Sequence, residues 1–332
     1  NEIEIFAQRL IQEISQVSFR FDDKHIRLTA SLGCSFCSQE SSNCNDLLSQ
    51  ADIAMYDAKS RGKNPLSIYS EATQGSTVSL DRLSWNEKID SAFELDLFEL
   101  HFQGVYTVKT GKLAHLEALI RLKDEDNPGQ LIYPGIFIPF AEKTGKILDI
   151  DRWVIKTVFN WLSKHGSKLS RPVMLSINLS GQSITDKFMA GFIKQQFKEF
   201  EIKEDTVCFE ITETAAMNDL YRARQFIDEI KLLGCKFSLD DFGSGHASYA
   251  HLKNLPVNFL KIDGMFVKDI THDPIDFAIV KSVNEVGQVL GMQTIAEFVE
   301  NDEIVEKLSE IGVNFLQGYA ISRPAPLDEL LD

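Results

Sequence analysis

Seven polar residues, Glu117, Asn178, Glu210, Asp240, Lys261, Glu297 and Gln317, each close a short run of alternating or apolar residues. In Val173-Met174-Leu175-Ser176-Ile177-Asn178 the two-residue period of a strand sends Val173, Leu175 and Ile177 to one face and Asn178 to the other. Glu210 splits the same way from Val207 and Phe209, Asp240 from Phe237 and Leu239, and Lys261 from Leu260 and Ile262. Glu117 ends Leu113-Ala114-His115-Leu116, Glu297 follows an apolar run from Thr294, and Gln317 ends Val313-Asn314-Phe315-Leu316. Carboxylate and amide oxygens without His or Cys suit hard cations such as Mg²⁺ or Mn²⁺. Carboxylates brought together without a cation would raise one another's pKa. Asp241 adjoins Asp240, so one of them can bridge while the other serves a second ion. Two ions about 3.5–4 Å apart clamp the attacking and leaving oxygens in phosphoryl displacement. Taken singly, each acid is an ordinary solvated side chain; as a set on one strand parity they predict a site.

The elements that must position this set follow from its spacing. Successive members are 61, 32, 30, 21, 36 and 20 residues apart. Most of these gaps are one strand–helix unit, and 61 is either two units or one with an inserted helix. Helical patterns at Arg152–Leu162, Leu220–Leu233 and Ile275–Leu290 separate the strand runs. Strands alternating with helices predict a parallel sheet. Residues 81–332 have the typical size, roughly 250 residues, of one α/β (β/α)₈ barrel of the TIM type. Barrel active sites sit at the C-terminal rim of the strands, where the seven residues end.

The motifs that hold these residues resemble the EAL family of cyclic di-GMP phosphodiesterases. They are Glu117-Ala118-Leu119-Ile120-Arg121, Asn178-Leu179-Ser180, Glu210-Ile211-Thr212-Glu213, and Asp240-Asp241-Phe242-Gly243-Ser244-Gly245. Leu260-Lys261-Ile262-Asp263, Ala296-Glu297-Phe298-Val299-Glu300 and Gln317-Gly318-Tyr319 complete the series, in the family's order, over residues 81–332. The resemblance implies metal-dependent hydrolysis of one phosphodiester of cyclic di-GMP to linear pGpG, with two Mg²⁺ or Mn²⁺ ions. It implies Glu117, Asn178, Glu210, Asp240 and Asp241 as metal ligands. Glu297 and Gln317 would complete the metal and water shell, and Lys261 would orient or deprotonate the attacking water. Arg121, with Gln103 and Leu119, would hold substrate, and Glu300 would meet a guanine edge. Glu213 would brace the Asp-Asp-Phe-Gly loop, which in the family couples the metal site to dimerisation, so a homodimer through this domain is expected. Departures from the usual pattern are Gly104 after Gln103, Ser244, His246 and Phe298, where proline, threonine, tyrosine and glycine are commoner. None removes a metal ligand.

Residues 1–72 read as part of a second α/β domain. Ile3, Phe6, Leu10 and Ile14 recur at helical spacing, and Val17, Phe19 and Phe21 alternate before an Asp22-Asp23-Lys24 turn. Ile26, Leu28, Ala30 and Leu32 alternate again, and Leu47, Leu48, Ala51, Met55 and Ala58 mark a second helix. The segment Ala51–Lys59 with Gly62-Lys63-Asn64 resembles the closing helix of a GGDEF (diguanylate cyclase) domain, and Thr29–Gly33 the strand before it. The GGDEF signature itself is not in this sequence, so this piece is expected to be a C-terminal portion without cyclase activity. A two-strand sheet is marginal alone, so further strands are expected before residue 1. Residues 73–80 are expected to be a linker.

The net charge is −15, an acidic balance that argues against a polymeric nucleic acid, which needs basic surface to displace counterions. No apolar run reaches 18 residues, so no membrane contact is expected from this segment. Cys34, Cys37, Cys44, Cys208 and Cys235 form no second pair or His partner at zinc-ligand spacing, a reduced pattern that suits the cytoplasm. The full-length protein could still be anchored through an N-terminal region. Two further readings stand beside the phosphodiesterase: a catalytically weak cyclic di-GMP receptor signalling through dimer geometry, and a metal-dependent barrel enzyme for another phosphodiester.

Overall fold

The computed structural model describes residues 2–16, 18–21, 24–27, 32–35, 66–68, 78–125, 127, 129–166, 173–243 and 249–330. Two compact units divide the chain, 1–90 and 91–332. In the first, a helix at Glu2–Gln16 precedes β1 (Ser18–Phe21), which pairs antiparallel with β2 (Lys24–Arg27). A second pair, β3 (Leu32–Cys34) with β4 (Leu66–Ile68), is parallel. The predicted second helix at 47–58, the Gly62–Asn64 motif, Cys37 and Cys44 lie outside the described residues, as do Leu28, Ala30 and positions 69–77. A helix begins at Val78, within the stretch read as linker, and runs to Glu94.

In the second unit eight strands close into a barrel. They are β5 (Phe98–Thr107), β6 (Leu113–Lys123), β8 (Met174–Leu179), β9 (Val207–Thr212), β10 (Lys236–Phe242), β11 (Phe259–Ile262), β12 (Gln293–Ala296) and β13 (Phe315–Leu316). The short β7 (Leu131–Ile132) attaches to the end of β6. From β6 through β13 the neighbours are parallel, but β5 runs antiparallel to both β6 and β13. The cause is connection length. Only Val108–Lys112 joins β5 to β6, which is enough for a hairpin and far too short for a crossover helix. The 61-residue gap is one unit with an inserted helix: Pro134–Thr144 and Ile147–His165 both fall between β6 and β8. Helices at Leu220–Lys231 and Pro274–Val289 take the other two predicted positions.

The alternation read from the sequence is the packing observed. Leu116, Leu175, Ile177, Phe209, Ile211, Phe237, Leu239, Leu260 and Ile262 are completely buried. Most of the opposite parity fills the barrel, where Val105, Cys208, Phe259, Ile295 and Phe315 form one apolar cluster below the polar ends. Burial at this depth contributes roughly 1.5–3 kcal/mol for each large apolar side chain. A one-residue slip in any strand would exchange the two sets, so this burial also fixes register. Among the described residues no helix is long and apolar enough to cross a membrane.

Candidate functional site

Helix caps set the position of the polar ends. Ser180, two residues after Asn178, accepts a hydrogen bond from Ser183 N at 3.1 Å and starts the next helix. Thr212, two after Glu210, accepts from Ala215 N, and Asp263, two after Lys261, accepts from Met265 N. Ser, Thr and Asp are favoured caps because they satisfy backbone N–H groups that a helix start leaves unpaired. The strand can therefore turn into its helix immediately, and each functional side chain is the last inward residue before the rim.

Lys261 is the centre of the arrangement, buried with 1 % of its surface exposed. Its Nζ lies 2.8 Å from Glu210 Oε2, 2.9 Å from Glu297 Oε1, 3.1 Å from Asp240 Oδ1 and 3.4 Å from Glu117 Oε2. Glu117 also accepts from Asn178 Nδ2 at 2.7 Å and from Gln317 Nε2 at 2.6 Å. Carboxylate oxygens of Asp240, Asp241 and Glu297 lie within 4.8 Å of one another. Asp241 has φ of +56°, in the left-handed region that side chains other than glycine rarely adopt, and it accompanies Asp240 at the end of β10. Its amide donates to Asp240 Oδ1 at 3.0 Å.

Burial and mutual repulsion shape the ionisation. Burial raises Glu210 to about 7, with Lys261 opposing and Glu117 and Asp240 reinforcing the rise. Burial raises Asp240 too, and it lifts Glu297 well above the ordinary carboxylate value. Asp241 rises to about 6 through burial and its neighbours Asp240 and Asp263. Glu117 alone goes down. Burial would raise it, but the Lys261 ammonium and the amides of Asn178 and Gln317 outweigh that. Burial would lower Lys261, yet Asp240, Glu117, Glu210 and Glu297 hold it well above its usual value, so the ammonium stays charged. A divalent cation nearby would lower all of them, opposing the rise at Glu210, Asp240, Asp241, Glu297 and Lys261 and reinforcing the fall at Glu117.

The donor set fits such a cation. Four carboxylates surround one ammonium and a fifth, Asp241, lies beside two of them; all are hard oxygen donors, and Gln317 Oε1 is a buried acceptor with no hydrogen-bond partner. Glu213, buried at 2 % exposure, accepts from Gly243 N at 2.8 Å and so ties the loop after Asp241 to the end of β9. Gly243 itself has φ of +106°. Ser244, Gly245 and His246 lie outside the described residues.

Beside the acids a cavity of about 360 Å³ is lined by Gln103, Leu119, Arg121, Glu300, Glu117, Glu297 and Gln317 together with Tyr133, Phe298 and Tyr319. Every residue expected to bind substrate therefore meets here. Gln103 donates to Ser322 O at 2.9 Å, and the Arg121 guanidinium stacks over the Tyr133 ring at 4.9 Å. Tyr133, Tyr319 and the exposed ring of Phe298 lie on loops and carry no strand parity, so periodicity could not mark them. The Tyr133-Pro134 step, with proline at the first helical position, is a helix-start signal that points to the place but not to the role.

Residues 86–324 match the model of the EAL domain, and residues 1–65 match that of the diguanylate cyclase, GGDEF domain. The chain belongs to the EAL domain family. It is 40% identical over 325 residues to the cyclic di-GMP phosphodiesterase PdeB of Shewanella oneidensis, covering 97% of this chain and 38% of that protein. It is 30% identical over 329 residues to the bifunctional diguanylate cyclase/cyclic di-GMP phosphodiesterase MucR of Pseudomonas aeruginosa, covering 98% and 47%. The chain thus spans less than half the length of these curated relatives. Among solved structures, a PaMucR phosphodiesterase–c-di-GMP complex aligns with a TM-score of 0.71 at 30% identity, over 75% of this chain and all of that one. The FimX EAL domain from Pseudomonas aeruginosa bound to c-di-GMP aligns with a TM-score of 0.67 at 27% identity, over 73% and 96%.

Proposed function

We propose that this chain hydrolyses cyclic di-GMP to linear pGpG, using two divalent cations, Mg²⁺ or Mn²⁺. The observation that carries the reading is the convergence of Glu117, Glu210, Asp240 and Glu297 on Lys261 beside a cavity sized for a nucleotide. Relatives named cyclic di-GMP phosphodiesterases, and aligned structures holding c-di-GMP, support the substrate. Glu117, Asn178, Glu210, Asp240 and Asp241 would hold the ions, with Glu297 and Gln317 beside them. Bound there, the cations supply charge neutralisation at the phosphoryl oxygens and a more acidic water.

The chain's own residues do the rest. Arg121, its plane held against Tyr133, offers paired N–H donors to a phosphate oxygen. Lys261 Nζ, set among Glu117, Glu210, Asp240 and Glu297, orients the attacking water and stabilises charge growing on the phosphoryl group. Water attacks phosphorus, the bond from phosphorus to the 3′ oxygen breaks, and that oxygen leaves with a proton as the 3′ hydroxyl of pGpG. Glu213, through its bond to Gly243 N, holds the Asp241–Gly243 turn so that the Asp241 carboxylate stays near those of Asp240 and Glu297. A homodimer through the barrel domain, with this turn coupled to the interface, belongs to the same reading. So do domain limits at 1–72, 73–80 and 81–332.

The test is incubation of the purified chain and Mn²⁺ with cyclic di-GMP, linear dinucleotides and cyclic mononucleotides, with products resolved by mass. Conversion of cyclic di-GMP alone to pGpG is expected. Turnover of another phosphodiester in its place, or of none, contradicts the reading.

A further inference from the structure

Phe298 is the one aromatic residue among the described non-glycine residues with positive φ, at +52°. Its neighbours leave it no alternative. Glu297 N bonds Ile262 O, Val299 N bonds Gln317 O at 3.1 Å, and Ala320 N bonds Val299 O at 3.0 Å. Val299 is fully buried, and the chain passes so close to Gly318 that an added Cβ there would meet Val299 backbone at 2.2 Å. The backbone on both sides of position 298 is therefore fixed, and the residue between must be left-handed. Glycine takes that conformation without cost, whereas a residue with a side chain is strained in it.

Burial does not offset the cost, because 62 % of Phe298 is exposed. One side of its ring rests on Gly264, where a Cβ would come within 2.1 Å of the ring. The rest contributes to the wall of the 360 Å³ cavity that Arg121, Glu300 and Gln317 line with polar groups. A strained, exposed aromatic over a cavity with hydrogen-bonding walls suits a flat heteroaromatic ligand, satisfied at its edge by polar groups and at its face by the ring.

We infer that Phe298 is the stacking platform for one nucleobase of the phosphodiester substrate, and so a specificity-determining residue of this chain. The inference rests on the reading above, since it needs a nucleotide in the cavity. Stacking of a base on an aromatic ring contributes about 1–3 kcal/mol, a factor of roughly 5 to 150 in affinity.

The experiment compares Phe298→Gly, Phe298→Ala and Phe298→Tyr with wild type in the full chain, reading KM and kcat for cyclic di-GMP and the melting temperature. Phe298→Gly should raise KM at least about 10-fold with kcat changed less than about 3-fold, while the melting temperature holds or rises because strain is relieved. Phe298→Ala should raise KM similarly, and Phe298→Tyr should restore it. Wild-type KM in the glycine and alanine variants overturns the inference and leaves the phosphodiesterase reading intact. A melting temperature that falls along with affinity in Phe298→Gly also overturns it, since the ring would then be a packing element. A wild-type chain that neither binds nor turns over cyclic di-GMP removes both.

Discussion

The acidic half of the barrel mouth and the aromatic half next to it are built in opposite ways. Lys261, Glu210 and Glu117 project from strands and are 1 %, 2 % and 5 % exposed. Phe298, Tyr133 and Tyr319 come from loops and are 62 %, 59 % and 57 % exposed. The first group is locked by register and by ion pairs to one ammonium, and Glu210 and Lys261 also by caps two residues downstream. The second is held by backbone and presents open faces. Under the proposed function, the difference teaches that geometry for bond breaking is placed on the rigid sheet, where an error of 1 Å is costly, and contact with the bases is left to the loops. Arg121 joins the halves: it lies four residues beyond Glu117 on the same strand and face, yet stacks on the loop residue Tyr133.

If the halves are separable, substitutions in each should move different constants. The largest effect is expected from Lys261→Met, which leaves four buried carboxylates without their common partner. Turnover should fall by a factor of about 10³ or more, and the melting temperature of chelated protein should change markedly, while KM moves little. A kcat within 10-fold of wild type would break the assignment of chemistry to this half. Next, Arg121→Lys keeps the charge and loses the planar fork, so KM for cyclic di-GMP should rise about 10-fold. Steady-state kinetics in which only kcat changed would place Arg121 with the acids instead. Glu213→Ala should lower turnover by a smaller factor, roughly 10-fold, and raise the Mn²⁺ concentration needed for half-maximal rate, because Gly243 N loses its acceptor. Unchanged metal dependence would show that the turn holds without it.

The smallest effect concerns Asp151, a buried residue on the helix Ile147–His165 outside both halves. Its Oδ2 accepts from Ser180 N at 3.0 Å and Ser183 Oγ at 2.6 Å, fastening the cap that follows Asn178. Burial raises this carboxyl from 3.8 to about 6, so the folded protein binds its proton more tightly than the unfolded chain. Its contribution is therefore full below pH 3.8 and declines as pH rises through 6, by on the order of 2–3 kcal/mol in all. Asp151→Asn should flatten the fall in denaturant midpoint between about pH 4 and 7. An equally steep fall in the variant would assign the pH dependence to other groups, Glu210 foremost.

The contrast between the halves is also the contrast between what could and could not be read from the chain. Period-2 runs ending in Glu117, Asn178, Glu210, Asp240, Lys261, Glu297 and Gln317 placed seven side chains on one parity, and the barrel brings all seven to one rim. Parity carries such information because the pleat is strictly alternating. It does not carry strand direction, so the antiparallel β5 was not anticipated, although the short Val108–Lys112 connection contained the signal. Nor does it reach loops. Phe298 stood out only as an unusual residue in its motif, and its left-handed backbone depends on hydrogen bonds to Gln317 and Ala320, close in space but about 20 residues away in sequence. The central position of Lys261, touching four carboxylates at once, likewise depends on barrel closure and had no local signature.

The central claim is that the acids around Lys261 work as a set through divalent cations. Its most direct test is cyclic di-GMP turnover by wild-type protein and Glu117→Ala, each chelated and then resupplied with Mn²⁺. The expected result is that chelation abolishes wild-type turnover, Mn²⁺ restores it, and Glu117→Ala remains inactive at concentrations that saturate wild type. Turnover that persists in chelator, or that is the same in Glu117→Ala, would contradict the account.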